Sequence, residues 1–95
     1  MIKVGKKKDS SVFAAIYDAH CNGVATFIYR MISEKSDVYD LVQEVFLKVH
    51  KNIHKLDEQK QAAWVFTIAR NVVFDYFRKQ KTYAENFSDD IDESL

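Results

Sequence analysis

Two histidines one helical turn apart, His50 and His54, are the nearest approach to a metal-binding pair in this sequence. Side chains at i and i+4 share a helix face, but two ligands do not complete a zinc site. Three histidines and the single cysteine, Cys21, are poor material for one. No nucleophile–base pair and no phosphate-cradling glycine loop is present, which points away from catalysis. A small hydrolytic enzyme using His50, His54 and a carboxylate lacks a complete site. The stronger pattern is one of charge. Between Lys48 and Lys81 the basic residues are Lys48, Lys51, Lys55, Lys60, Arg70, Arg78, Lys79 and Lys81, against the acids Asp57, Glu58 and Asp75. The last stretch carries Glu85, Asp89, Asp90, Asp92 and Glu93 with no basic residue, and the net charge is zero. A basic segment beside an acidic one is either a nucleic-acid surface next to its mimic or a solvated helix followed by a disordered tail; charge alone leaves both open.

Helices must position these residues. There is no proline and there are two glycines, so strand-and-turn architectures lose their punctuation. Apolar residues recur at steps of three and four. The first helix is predicted from about Ser11 to Ile32, with Phe13, Ile16, Tyr17, His20, Val24, Phe27, Ile28 and Met31 on its apolar side. Asp9 or Ser10 is its candidate N-cap. Asn22-Gly23 in its middle is a candidate kink or break. A second helix is predicted from Ser36 or Asp37, either of which can cap it. Val38, Leu41, Val42, Val45, Phe46 and Val49 form its apolar stripe, while Asp40, Gln43, Glu44 and Lys48 face elsewhere. Lys51 to Gln61 reads as a polar connection. The third helix is predicted from about Ala62 to Lys81, with an apolar arc of Val65, Ala69, Val72, Val73, Tyr76 and Phe77. On a separate stripe Thr67, Asn71, Phe74 and Arg78 follow one another at +4, +7 and +11. An aromatic among polar residues on an exposed face invites explanation.

The 95 residues suffice for one domain. Hydrophobic residues at 47% can supply a dense core, and charged residues at 29% a solvated surface. No apolar run approaches the roughly 20 residues that span a bilayer, and no apolar segment of signal-peptide type follows the basic N-terminus. The expectation is a cytoplasmic all-α protein, a small three- to four-helix bundle over residues 1–81 with a polar loop before the last long helix. Residues 82–95 are expected to form an acidic flexible tail.

Two blocks resemble a known family. Asp37-Val38-Tyr39-Asp40-Leu41-Val42-Gln43-Glu44-Val45-Phe46-Leu47-Lys48-Val49 is similar to the second helix of bacterial extracytoplasmic-function sigma factors. Trp64-Val65-Phe66-Thr67-Ile68-Ala69-Arg70-Asn71, continuing through Asp75-Tyr76-Phe77-Arg78, resembles their DNA-reading helix. The order and spacing of the blocks fit, and the resemblance covers roughly Phe13 to Lys81. It implies the polymerase-binding and minus-ten-element-binding domain, acting in transcription initiation without catalysis of its own and without a cofactor or metal.

The resemblance also implies roles. Asp40, Gln43 and Glu44, with Asp37 nearby, would bind the clamp helices of the largest catalytic subunit of core RNA polymerase, because carboxylates form charge-assisted bonds to arginines of a partner helix. The third helix and the loop before it would melt promoter DNA and hold a flipped base of the non-template single strand. Lys60, Arg70, Arg78, Lys79 and Lys81 would follow its backbone. Asn71 would read a base edge, and Phe74 would replace lost stacking. Thr67 shares their stripe and Gln61 the loop. Trp64 is read as core. Tyr39 stands where the family pattern usually has an acid, and Gln61 where the loop often has an aromatic. An anti-sigma factor is an implied partner that no residue identifies. The family usually continues into a linker and a helix-turn-helix domain for the minus-thirty-five element. The acidic segment is therefore expected to be the start of that linker, in a domain cut from a longer protein or in a truncated gene product. The rival reading is a sigma-like protein-interaction bundle that does not touch DNA.

Overall fold

The structure, a computed structural model, describes the backbone of residues 2–94 and the side chains of residues 11–82. Three helices form it: α1 (Ile2–Met31), α2 (Val38–Lys51) and α3 (Gln61–Ser94). Among the described residues there is no strand. None of the helices, over these residues, is long and apolar enough to cross a membrane. The all-helical expectation holds, as a bundle of three helices joined by short 3-10 turns.

One core joins the helices. Ile16, Val24, Ile28 and Ile32 come from α1, Leu41, Val42, Val45, Phe46 and Val49 from α2, and Val65, Ala69, Val72 and Val73 from α3. Its fully buried residues are mostly β-branched. Such residues cost a few tenths of a kcal/mol each in helix propensity. Burying each one contributes about 1.5–3 kcal/mol, so packing decides the outcome. An aromatic seam flanks the core between α1 and α2. Tyr17 lies 4.8 Å from Phe46 between ring centroids, and Phe13 meets His50 edge-on at 5.0 Å.

Several expected details change. α1 begins at Ile2, so Asp9 and Ser10 lie inside it and neither is its N-cap; no proline interrupts the lysine-rich start, and lysine is a good helix former. The helix runs through Asn22-Gly23 without a break, and no glycine has a positive φ. Gly23 serves a close approach instead: a Cβ there would stand 3.2 Å from Cζ of Phe66 on α3. Met31 is exposed rather than part of the core.

At the start of α2, neither Ser36 nor Asp37 supplies the capping bond. Glu34 accepts from the Ser36 backbone N–H at 3.4 Å and from its hydroxyl at 2.9 Å, opening a 3-10 turn (Lys35–Asp37) that leads into α2. Asp37 occupies the N-cap position but makes no capping bond. Lys35 folds back on the end of α1, donating to the carbonyls of Ile32, at 2.7 Å, and Tyr29. A cation there suits the negative end of the helix dipole.

The polar connection is ordered by two further 3-10 turns, Ile53–Lys55 and Glu58–Lys60. Asn52 caps α2 by donating its side-chain amide to the Lys48 carbonyl at 2.9 Å. Asp57 caps the second turn by accepting from Gln59 N–H at 3.1 Å. The backbone of α3 runs through Ser94, past Lys81. The expected acidic flexible tail falls almost wholly on side chains outside the described residues.

Candidate nucleic-acid and partner interfaces

The core fixes α3 by Val65, Ala69, Val72 and Val73, which leaves the opposite side of the helix in solvent. Thr67, Asn71, Phe74 and Arg78 are all exposed there, as their spacing required. Phe74 keeps 51% of its surface in water. Asn71, Phe74, Asp75 and Arg78 line an open groove of about 560 Å³. Arg70 lies on the flank of the stripe with its guanidinium carbon 5.8 Å from the Phe74 ring centroid, within cation–π range. The groove therefore offers an amide, an aromatic face and cations together.

Other expected residues are spent differently. Thr67 donates its hydroxyl to the Ala63 carbonyl at 2.8 Å, so its donor is used within the helix. Arg78 pairs with Asp75. Asp75, counted among the acids of this stretch, was not placed at this site by the sequence reading, yet it lines the groove. It places a carboxylate among groups that would meet phosphate, and its i,i+3 spacing to Arg78 was the available signal. Lys60 is exposed on the 3-10 turn before α3. Gln61 is half-buried, its side-chain amide 3.1 Å from Nε2 of His20 on α1, so it ties the first residue of α3 to α1. Lys79 is not brought to the Asn71 groove. It lines a second groove with Glu44, Leu47, Lys48, His50 and Lys51 of α2, because one residue past Arg78 turns it by about 100° toward that helix. Trp64 is half-buried and packs against the core.

On α2 the apolar stripe turns inward and leaves Asp40 exposed and Gln43 and Glu44 half-buried. Beside them stand two exposed apolar residues, Tyr39 at 71% and Leu47 at 69%. Leu47 belongs to none of the core positions of the stripe, and that exclusion was the signal for it. Gln43 and Leu47 also line a groove with Phe13, Tyr17, Phe46 and His50. Asp37 stands apart from Asp40 and Glu44: its Oδ2 accepts a 2.6 Å hydrogen bond from the Tyr76 hydroxyl of α3. That bond, with burial beside it, holds the Tyr76 phenol above its ordinary pKa of 10.0. The Tyr17 phenol is likewise raised, chiefly by a hydrogen bond to Cys21. Among the described residues no group of three His, Cys, Asp or Glu side chains could hold a metal ion.

Sigma-70 region 2 matches residues 16–83, from Ile16 of α1 into α3, and the chain belongs to that family. It is 39% identical over 80 residues to the ECF RNA polymerase sigma factor SigM of Bacillus subtilis, covering 84% of this chain and 48% of that one. Against SigX of the same organism identity is 34% over 71 residues, 74% of this chain and 37% of that one. Against SigW it is 35% over 81 residues, 84% and 43%. The chain thus spans less than half the length of these relatives. No solved structure matches it.

Proposed function

We propose that this domain acts in transcription initiation, binding core RNA polymerase through α2 and capturing non-template single-stranded DNA of the minus-ten element on α3. The observation that carries the reading is the exposed stripe of α3, where Asn71, Phe74 and Arg78 share one groove with Arg70 at its edge. An amide can read a base edge, an aromatic face can replace lost stacking, and guanidinium groups can meet phosphates. On α2, Asp40, Gln43 and Glu44 beside exposed Leu47 suit a partner helix bearing arginines and apolar residues. The clamp helices of the largest polymerase subunit are that partner. An anti-sigma factor would act by covering one of these faces. The domain directs the polymerase's chemistry and performs none.

Asp75 favours the second reading, an interaction bundle without DNA, because it offsets the charge of Arg78 inside the groove. One experiment separates the two: capture of core polymerase by the immobilised chain, with single-strand oligonucleotide binding followed across a salt series. The proposal expects capture, together with oligonucleotide affinity that falls steeply as salt rises. Capture without oligonucleotide binding at any salt supports the bundle.

A further inference from the structure

We propose that Tyr76 is a positioning residue: its hydroxyl, bound to Asp37, ties the DNA-facing part of α3 to the start of α2 and sets where Asn71, Phe74 and Arg78 point. The inference rests on the reading of α3 as the DNA-binding helix. Among the described residues, apolar packing of α3 weakens beyond Val73, the last of them that is fully buried. At the next core-facing positions Tyr76 is half-buried and Phe77 is exposed. A 2.6 Å bond from Tyr76 Oη to Asp37 Oδ2 joins this segment to the 3-10 turn that leads into α2. Gln80 donates to the same Oη at 2.9 Å, so the phenol oxygen is held from both sides and its proton is directed at the carboxylate.

The lever arm is short but sufficient. Phe74 and Arg78 flank Tyr76 in sequence and lie about 160° around the helix from it. A bond on one side of α3 therefore governs a surface on the other. Arg78 lies about 7.5 Å along the axis beyond Val73, so a swing of about 15° displaces it by about 2 Å. That is enough to lose a hydrogen bond to a phosphate or base, whose geometry tolerates only a few tenths of an ångström.

The test uses Tyr76→Phe, Asp37→Ala and Asp37→Asn in the full chain, well below the melting transition of each variant. Asp37 lies off the DNA stripe. Losing its negative charge would, by electrostatics alone, strengthen binding to DNA. The latch demands the opposite sign. Affinity for a single-stranded oligonucleotide should fall about three- to ten-fold in Tyr76→Phe and in Asp37→Ala. Asp37→Asn keeps an acceptor for the phenol and should recover most of the loss. Combining Tyr76→Phe with Asp37→Ala should cost no more than either alone. Equal or tighter binding by Asp37→Ala, or unchanged binding by Tyr76→Phe, overturns the proposal. If the unaltered chain binds no oligonucleotide, the DNA reading fails and the latch is judged by hydrogen exchange. Amides from Phe74 to Gln80 should then exchange about ten-fold faster in Tyr76→Phe, and unchanged exchange overturns it.

Discussion

Asp75 sets the electrostatics of the exposed α3 stripe, because the cation most central to it, Arg78, is already paired with that carboxylate. An exposed ion pair contributes about 0–1 kcal/mol to stability, so breaking it should barely move the melting temperature. For a polyanion the consequence is larger. Asp75→Asn frees the guanidinium and removes a like charge, and should raise single-strand affinity about two- to ten-fold at low salt, less at high salt. Fluorescence anisotropy with a labelled oligonucleotide measures it, and an unchanged affinity would mean that Arg78 does not meet phosphate. The two raised phenols set an alkaline limit. A group whose pKa is raised on folding stabilises the fold fully below its unfolded value and loses that contribution as pH rises through the folded value. Tyr76 and Tyr17 are both raised from 10.0, so the melting temperature should decline above pH 10. Tyr76→Phe has lost one contribution at every pH and should decline less steeply than the unaltered chain over the same range. Parallel declines in a thermal-melt series would contradict the link between Tyr76 and Asp37.

Periodicity placed the elements well because burial imposes it. Val45, Val49, Val65, Ala69, Val72 and Val73 are buried where steps of three and four put them. What periodicity could not show was how far the packed surface extends. Phe77 falls on the same arc as Val73 yet is exposed. Long-range contacts were equally hidden. The Tyr76–Asp37 bond joins residues 39 apart, and Gly23 fits Phe66 from another helix. The candidate stripe on α3 was legible from the spacing of four residues; the diversion of Lys79 toward α2 was not, and the place of Asp75 in the groove was marked only by its i,i+3 spacing to Arg78. Gly23 provides a test of helix packing. Alanine there gains about 1 kcal/mol of helix propensity but meets the Phe66 ring at 3.2 Å, so Gly23→Ala should lie within about 1 kcal/mol of the original. Gly23→Leu must displace Phe66, whose ring also meets Phe27 at 6.0 Å, and should cost about 1–3 kcal/mol. Urea unfolding of the two variants checks the order, and a leucine as stable as the alanine would show that α1 and α3 do not approach so closely.

At the scale of the molecule, one core supports two faces that share no side chain. α2 buries Val42, Val45 and Val49 and offers Asp40 and Glu44 outward; α3 buries Val65, Ala69 and Val72 and offers Thr67, Asn71, Phe74 and Arg78. The chain belongs to Sigma-70 region 2, and on the function proposed above the two faces would let it hold protein and nucleic acid at once. The outward side chains can be altered with little effect on the fold, because substitutions away from the core usually shift stability by less than about 0.5 kcal/mol. The most direct measurement takes two variants, Asp40→Ala with Glu44→Ala, and Asn71→Ala, and determines core-polymerase and single-strand affinity for each at matched melting temperature. The acidic-face variant should lose polymerase binding and keep, or slightly gain, single-strand binding. Asn71→Ala should keep polymerase binding and lose about 1–3 kcal/mol of affinity for the preferred base. Loss of both bindings in either folded variant, or of neither, would contradict the account.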